Sequence, residues 1–162
     1  MDAKRDLVLE RVVDVPPELI WKAWTDPKHL TPWFTPDPWK TVGCEIDLRP
    51  GGRFHTVMRS PEGQEFPSDG CYLEIVPNRR LVWTSALEPG YRPAKRTATP
   101  GHECEELLFT CVLTLEPQGK GTKYTATALH MTEADAAKHA TMGFHEGWGK
   151  CLDQLVAYVK TL

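Results

Sequence analysis

Two histidines, His130 and His145, carry the residue type best suited to chemistry near neutral pH. An imidazole held in an apolar cavity can hydrogen-bond a ligand or move a proton. Strand alternation puts His130 in line with Ala128, and helical spacing puts His145 one turn before Trp148. If the helix crosses the sheet, both rings point into one cavity and both are candidate catalytic residues. The plain alternative is that each is a satisfied core or rim histidine, because an isolated His is a weak pointer.

Aromatic residues supply the second chemical signal. Trp24, Trp33, Trp39, Trp83 and Trp148, with Phe54 and Phe109, form a large apolar set. Core packing accounts for several of them. Ligand sites are also mostly apolar with a few placed polar groups, so Trp83, Phe109 and Trp148, with His130 and His145, are the expected ligand-binding residues. His102-Glu103-Cys104 offers metal-ligand types, but a zinc site needs three or four ligands at recognisable spacing. No metal and no cofactor is expected. Cys44, Cys71, Cys111 and Cys151 read as small core residues. The sequence shows no G-x-S-x-G, no H-E-x-x-H and no Gly-rich phosphate loop.

The elements that must position these groups follow from periodicity and punctuation. Leu7 to Val13 reads as a strand, stopped by Pro16-Pro17. Glu18 to Thr25 reads as a helix, and Lys28 to Phe34 as a short aromatic one after Asp26-Pro27. Strands are then expected at Cys44 to Leu48, Arg53 to Arg59, Gly70 to Val76, Arg80 to Leu87, Glu105 to Glu116 and Thr122 to Met131. Each is followed at once by turn chemistry, which predicts an antiparallel meander. Residues 88–104, with three prolines and two glycines, read as a long loop, either a lid or an excursion.

The last stretch reads as one long helix from Thr132, with kinks at Gly143 and Gly147. Thr132 and Asp135 resemble a capping box. Trp148, Leu152, Leu155 and Val159 recur on one apolar face. The sheet is expected to wrap around this helix, with small Ala126 and Ala128 leaving room for it or for a cavity.

The 162-residue length fits one domain, 1–162, with a real core. A formal charge of −3 gives no electrostatic case for nucleic acid. No apolar run approaches the ~20 residues of a membrane span. Met1 to Asp6 lacks the apolar core of a secretory signal, and the five cysteines include no CxxC pair. A cytoplasmic protein with reduced thiols is the expectation. Oligomeric state stays open, a homodimer included.

Several motifs together resemble the START-like, helix-grip superfamily (SRPBCC), and within it the activator of heat-shock protein 90 ATPase group, also labelled polyketide-cyclase-like. They are Pro16-Pro17-Glu18-Leu19-Ile20-Trp21-Lys22-Ala23-Trp24-Thr25-Asp26-Pro27, Trp33-Phe34, Leu48-Arg49-Pro50-Gly51-Gly52-Arg53-Phe54, Pro77-Asn78-Arg79-Arg80-Leu81-Val82, Gly121-Thr122 and Gly147-Trp148. The resemblance implies an α+β fold in which a curved antiparallel sheet, with two short helices after its first strand, grips a long C-terminal helix. It also implies a cavity for a small hydrophobic or amphipathic molecule. A cyclase or hydrolase with a cavity His as acid/base is the first rival reading. A chaperone partner ranks last, because the best-known activator carries an added N-terminal domain.

Overall fold

The computed structural model describes residues 2–94 and 107–162. Its first strand, β1 (Asp6–Val13), leads through Pro16 into α1 (Pro17–Thr25) and α2 (Pro27–Leu30). Pro17 occupies the first turn of α1, where a missing N–H costs nothing. Asp26 caps α2 by accepting from the Lys28 N–H. Ile20, Ala23 and Trp24 bury one face of α1.

Six further strands complete the main sheet: β2 (Lys40–Ile46), β3 (Arg53–Arg59), β4 (Glu65–Val76), β5 (Arg80–Thr84), β8 (Phe109–Gln118) and β9 (Gly121–His130). The order is β1-β9-β8-β5-β4-β3-β2, all antiparallel. The meander expected from the turn chemistry is therefore present. Two short strands, β6 (Leu87–Glu88) and β7 (Arg92–Pro93), pair separately at the start of the stretch read as loop. Residues 95–104 of that stretch, with His102 and Cys104, lie outside the described residues.

The C-terminal half differs from the expected single helix. It is two helices, α3 (Glu133–Thr141) and α4 (Phe144–Val159). Thr132 caps α3 through Asp135 N at 3.1 Å, as the capping motif predicts. The break falls at Gly143, whose φ of +96 is left-handed and natural only for glycine. Gly147 lies inside α4 without interrupting it.

Register shows how one sheet face becomes the core. Tyr72 faces Trp83, Trp83 faces Cys111, Cys111 faces Ala128, and Ala128 faces Leu7. One pleat along, Leu81, Leu113, Ala126 and Leu9 form a parallel row. These rows meet Leu152, Leu155 and Val159 of α4 in one buried cluster with Ile20 and Trp24 of α1. Ala126 and Ala128 are fully buried in that cluster, so the room they leave is used for packing. This is the helix-grip arrangement.

Candidate functional site

Aromatic side chains run along the gripped face as a continuous row. Phe54 of β3 meets Trp83 of β5 at 5.1 Å between ring centroids. Trp83 meets Phe109 of β8 at 5.7 Å, and Phe109 meets Trp148 of α4 at 5.8 Å. Alternation on the strands and the first turns of α4 place all four on one side. Three of the expected ligand-binding residues, Trp83, Phe109 and Trp148, are therefore brought together. The fourth, His130, stands beside Phe109, its register partner, at 6.0 Å.

His130 is buried, and its ring is fixed by the chain around it. Its Nδ1 lies 2.8 Å from the Arg5 carbonyl, which only accepts, so Nδ1 carries the proton. The neutral ring then accepts at Nε2, which lies 2.9 Å from Nδ1 of His139. His139 must donate that bond. One backbone carbonyl thus sets the tautomers of two histidines in series. Burial, and then the neighbouring His130, push His139 down to about 4.

His139 is a functional candidate that sequence reading missed. It sits on α3 and packs against Phe109 at 5.0 Å, Phe144 at 5.2 Å and Trp148 at 6.0 Å. Its position within a mostly polar helical stretch gave no signal beyond its residue type. The expected partner, His145, lies elsewhere. It is exposed on the first turn of α4 and donates from Nε2 to the Val8 carbonyl of edge strand β1 at 3.2 Å. The shared cavity expected for His130 and His145 is not formed.

At the other end of the row, a cleft of about 50 Å³ opens between Phe34, Phe54, Gly70, Trp83 and Ser85, with Thr56 and Ser68 on its lip. A Cβ on Gly70 would stand 2.8 Å from the Thr84 carbonyl, so β4 approaches β5 there more closely than a side chain allows. Two buried polar atoms on rings packed against Phe54, Tyr72 Oη and Trp83 Nε1, have no hydrogen-bond partner among the described residues, and of the two residues only Trp83 lines the cleft. The neighbouring rings differ. Trp24 Nε1 donates to Tyr124 Oη at 3.3 Å, and Trp33 Nε1 donates to the His29 carbonyl at 3.0 Å.

A wider groove of about 460 Å³ lies outside the sheet, among Thr31, Trp39, Lys40, Gln154 and Ala157. Several of its polar groups are already engaged. Gln154 donates to the Trp33 and Thr35 carbonyls and accepts from Asp37 N, and the Thr35 and Thr41 hydroxyls bond each other. Among the described residues no cluster of three or more metal-ligating side chains occurs. No helix there is long and apolar enough to cross a membrane.

Comparison with known proteins agrees with this architecture. The family model described as activator of Hsp90 ATPase homolog 1-like protein matches residues 14–160. A crystal structure from Nitrosomonas europaea is 45% identical, with a TM-score of 0.91, covering 99% of this chain and 97% of that one. A Chromobacterium violaceum protein is 25% identical at TM-score 0.72, covering 96% of each chain. An AHSA1-like protein from Aeromonas hydrophila, 20% identical at TM-score 0.69 and covering 96% of this chain and 92% of that one, shares the fold. No curated protein matches the chain. The chain belongs to the activator of Hsp90 ATPase homolog 1-like family.

Proposed function

We propose that this protein binds a small hydrophobic or amphipathic molecule on the sheet face that α4 covers, entering at the cleft between Phe34, Phe54 and Trp83. The observation that carries this reading is the continuous aromatic row from Phe54 through Trp83 and Phe109 to Trp148, open to the cleft at one end. Flat rings with few polar atoms favour an apolar body over a charged one. The cleft is smaller than the ~300 Å³ or more of drug-sized sites. It therefore takes the end of a molecule, and a larger body enters as the rings move apart. His130 lies at the inner end of the row, and His145 stands outside it.

Titration with N-phenyl-1-naphthylamine, an uncharged apolar fluorophore, tests this reading. Saturable binding of about one probe per chain is expected. Ser68 is exposed on the lip, so Ser68→Trp plugs the entrance without touching the core. It should weaken binding about tenfold, or ~1.4 kcal/mol, with the melting temperature unchanged. Absence of saturable binding, or binding indifferent to Ser68→Trp, overturns the proposal.

The histidine pair favours a second reading, acid–base turnover of a bound aromatic or polyketide-like substrate. It is the weaker one. His139 at about 4 accepts a proton poorly at neutral pH, whereas a general base works best near the operating pH. The pair's hydrogen bond is a structural tie between β9 and α3.

A further inference from the structure

The two edges of the main sheet differ. Edge strand β1 is closed by the C-terminal helix: His145 of α4 donates to the Val8 carbonyl, and Arg11 holds Asp153 of α4 at 2.5 Å. Strand β2, at the other edge, is left open. Among the described residues, no backbone hydrogen bond outside the β2–β3 ladder involves residues 41–46. Val42 is 39% exposed there. An unpaired edge is a template for a further strand.

The ladder shows which groups of β2 are offered. The Asp47 N–H donates to the Arg53 carbonyl at 2.9 Å, in line with the Ile46–Phe54 register. Inward and outward backbone alternate along an antiparallel strand. Glu45 and Gly43 therefore turn to β3, and Cys44 and Ile46 turn their N–H and C=O outward. Counted across the bulge between Thr41 and Gly43, the Thr41 backbone turns outward too. Thr41 is buried through its side chain, which bonds Thr35.

We propose that β2 pairs antiparallel with β2 of a second copy of this chain, about a two-fold axis at Gly43. This does not rest on the binding reading above. The register follows from the bulge. Lys40, Gly43 and Glu45 pair with Arg59, Val57 and His55, on one face of β3, while Thr41 and Cys44 pair with Met58 and Thr56 on the other. Without the extra residue, Lys40 and Glu45 would lie on opposite faces, being an odd number of residues apart. With it, a two-fold at Gly43 sets Lys40 opposite Glu45 of the second copy, and Thr41 opposite its Cys44. Thr41 and Cys44, both turned outward, exchange ladder bonds. Gly43 meets its own copy in a close pair, with Cα atoms ~4.5 Å apart and no side chain in the way.

Charge selects the second copy as the occupant. Lys40 meets Glu45 on each side of the axis, at positions where side chains lie nearest. Both residues are exposed. Arg53 holds the Glu45 carboxylate at the edge at 2.5 Å, and Asp69 holds Arg53 at 2.8 Å. A lysine and a bulge on an edge strand ordinarily deter pairing. Here the bulge brings the lysine onto the face of its opposite charge, so the same features admit one register. The neighbouring two-fold registers, about Thr41 or Cys44, pair no opposite charges. Such isologous two-fold contacts are the commonest route to a homodimer.

Sedimentation velocity over a concentration series tests this, at low ionic strength, where exposed charge pairs are screened least. A reversible monomer–dimer equilibrium is expected. Lys40→Glu sets like charges opposite each other twice and should weaken the dimer about tenfold, as should Glu45→Lys. Mixing the two variants, or combining them in one chain, restores both pairs and should recover most of the affinity. In the unaltered protein, hydrogen exchange at the Thr41, Cys44 and Ile46 amides should slow as concentration rises. A monomer at every concentration overturns the proposal. So does a dimer that ignores both charge reversals, or one whose β2 amides exchange as they do in the monomer.

Discussion

At the β9–α3 end of the aromatic row, His130 and His139 are joined to each other and to the Arg5 carbonyl. At the β4–β5 end, Tyr72 and Trp83 bury donors with no partner among the described residues. Both ends are built from flat rings with polar tips, and both are removed from water. A satisfied buried pair contributes to stability and fixes geometry, whereas an unsatisfied donor costs its lost hydration. The difference separates an end of the row whose polar atoms are tied into the fold from an end whose donors are left unsatisfied among the described residues.

Substitutions that strike the satisfied end should cost the most. Phe144 is fully buried and packs on Trp148 at 4.6 Å and on His139 at 5.2 Å. Phe144→Ala should lower unfolding free energy by roughly 3–5 kcal/mol, measured by chemical denaturation. A cost below about 1 kcal/mol would remove the distinction between the two ends.

Acid tests the same end without a mutation. His139 titrates at about 4 in the folded chain against ~6.5 when unfolded. Between those values the unfolded chain binds a proton that the folded chain refuses, so stability rises with pH. The contribution is complete above pH ~6.5 and is lost as pH falls towards ~4, by roughly 2–3 kcal/mol. The lowered carboxylates Asp2, Asp14 and Asp69 act below their ordinary value of 3.8, under this window. His139→Phe should flatten the profile between pH 4 and 6.5, and an unchanged slope would show that the pair is not its source.

Smaller effects sharpen the contrast. Tyr72→Phe at the unsatisfied end should leave free-protein stability unchanged or raise it by up to about 1 kcal/mol, in a thermal melt without ligand. A clear loss would mean that Oη has a partner in the folded chain. His145→Ala should cost least, about 0.5 kcal/mol, because the ring is exposed and gives one bond to Val8. It should also leave N-phenyl-1-naphthylamine affinity within a few-fold. A large drop in affinity would return His145 to the site.

Much of the fold was legible because its signals are local. Alternation marked Leu107, Phe109, Cys111, Leu113 and Leu115 as one face, and all five are buried or partly buried. Helical spacing marked Leu152, Leu155 and Val159, each at most 1% exposed. Thr132 announced the start of α3 through a bond that spans three residues. The aromatic members of the row, Trp83, Phe109 and Trp148, were legible for the same reason: each lies on a face that periodicity identifies, and those faces meet.

Periodicity within one element says nothing of how two helices are phased against each other. Gly143, at φ +96, ends α3 and starts α4 in a new direction, and that turn presents His139 rather than His145 to His130. The sequence by itself determined the order of the main-sheet strands and of the two helices after β1, their buried faces and the family's helix-grip fold. Only the tertiary structure decided which histidine is paired and which donors are left unpaired. A hydrogen-bond partner is set by distances of about 3 Å between residues far apart in the chain, as with His130 and Arg5, 125 residues apart. No local pattern encodes such a distance.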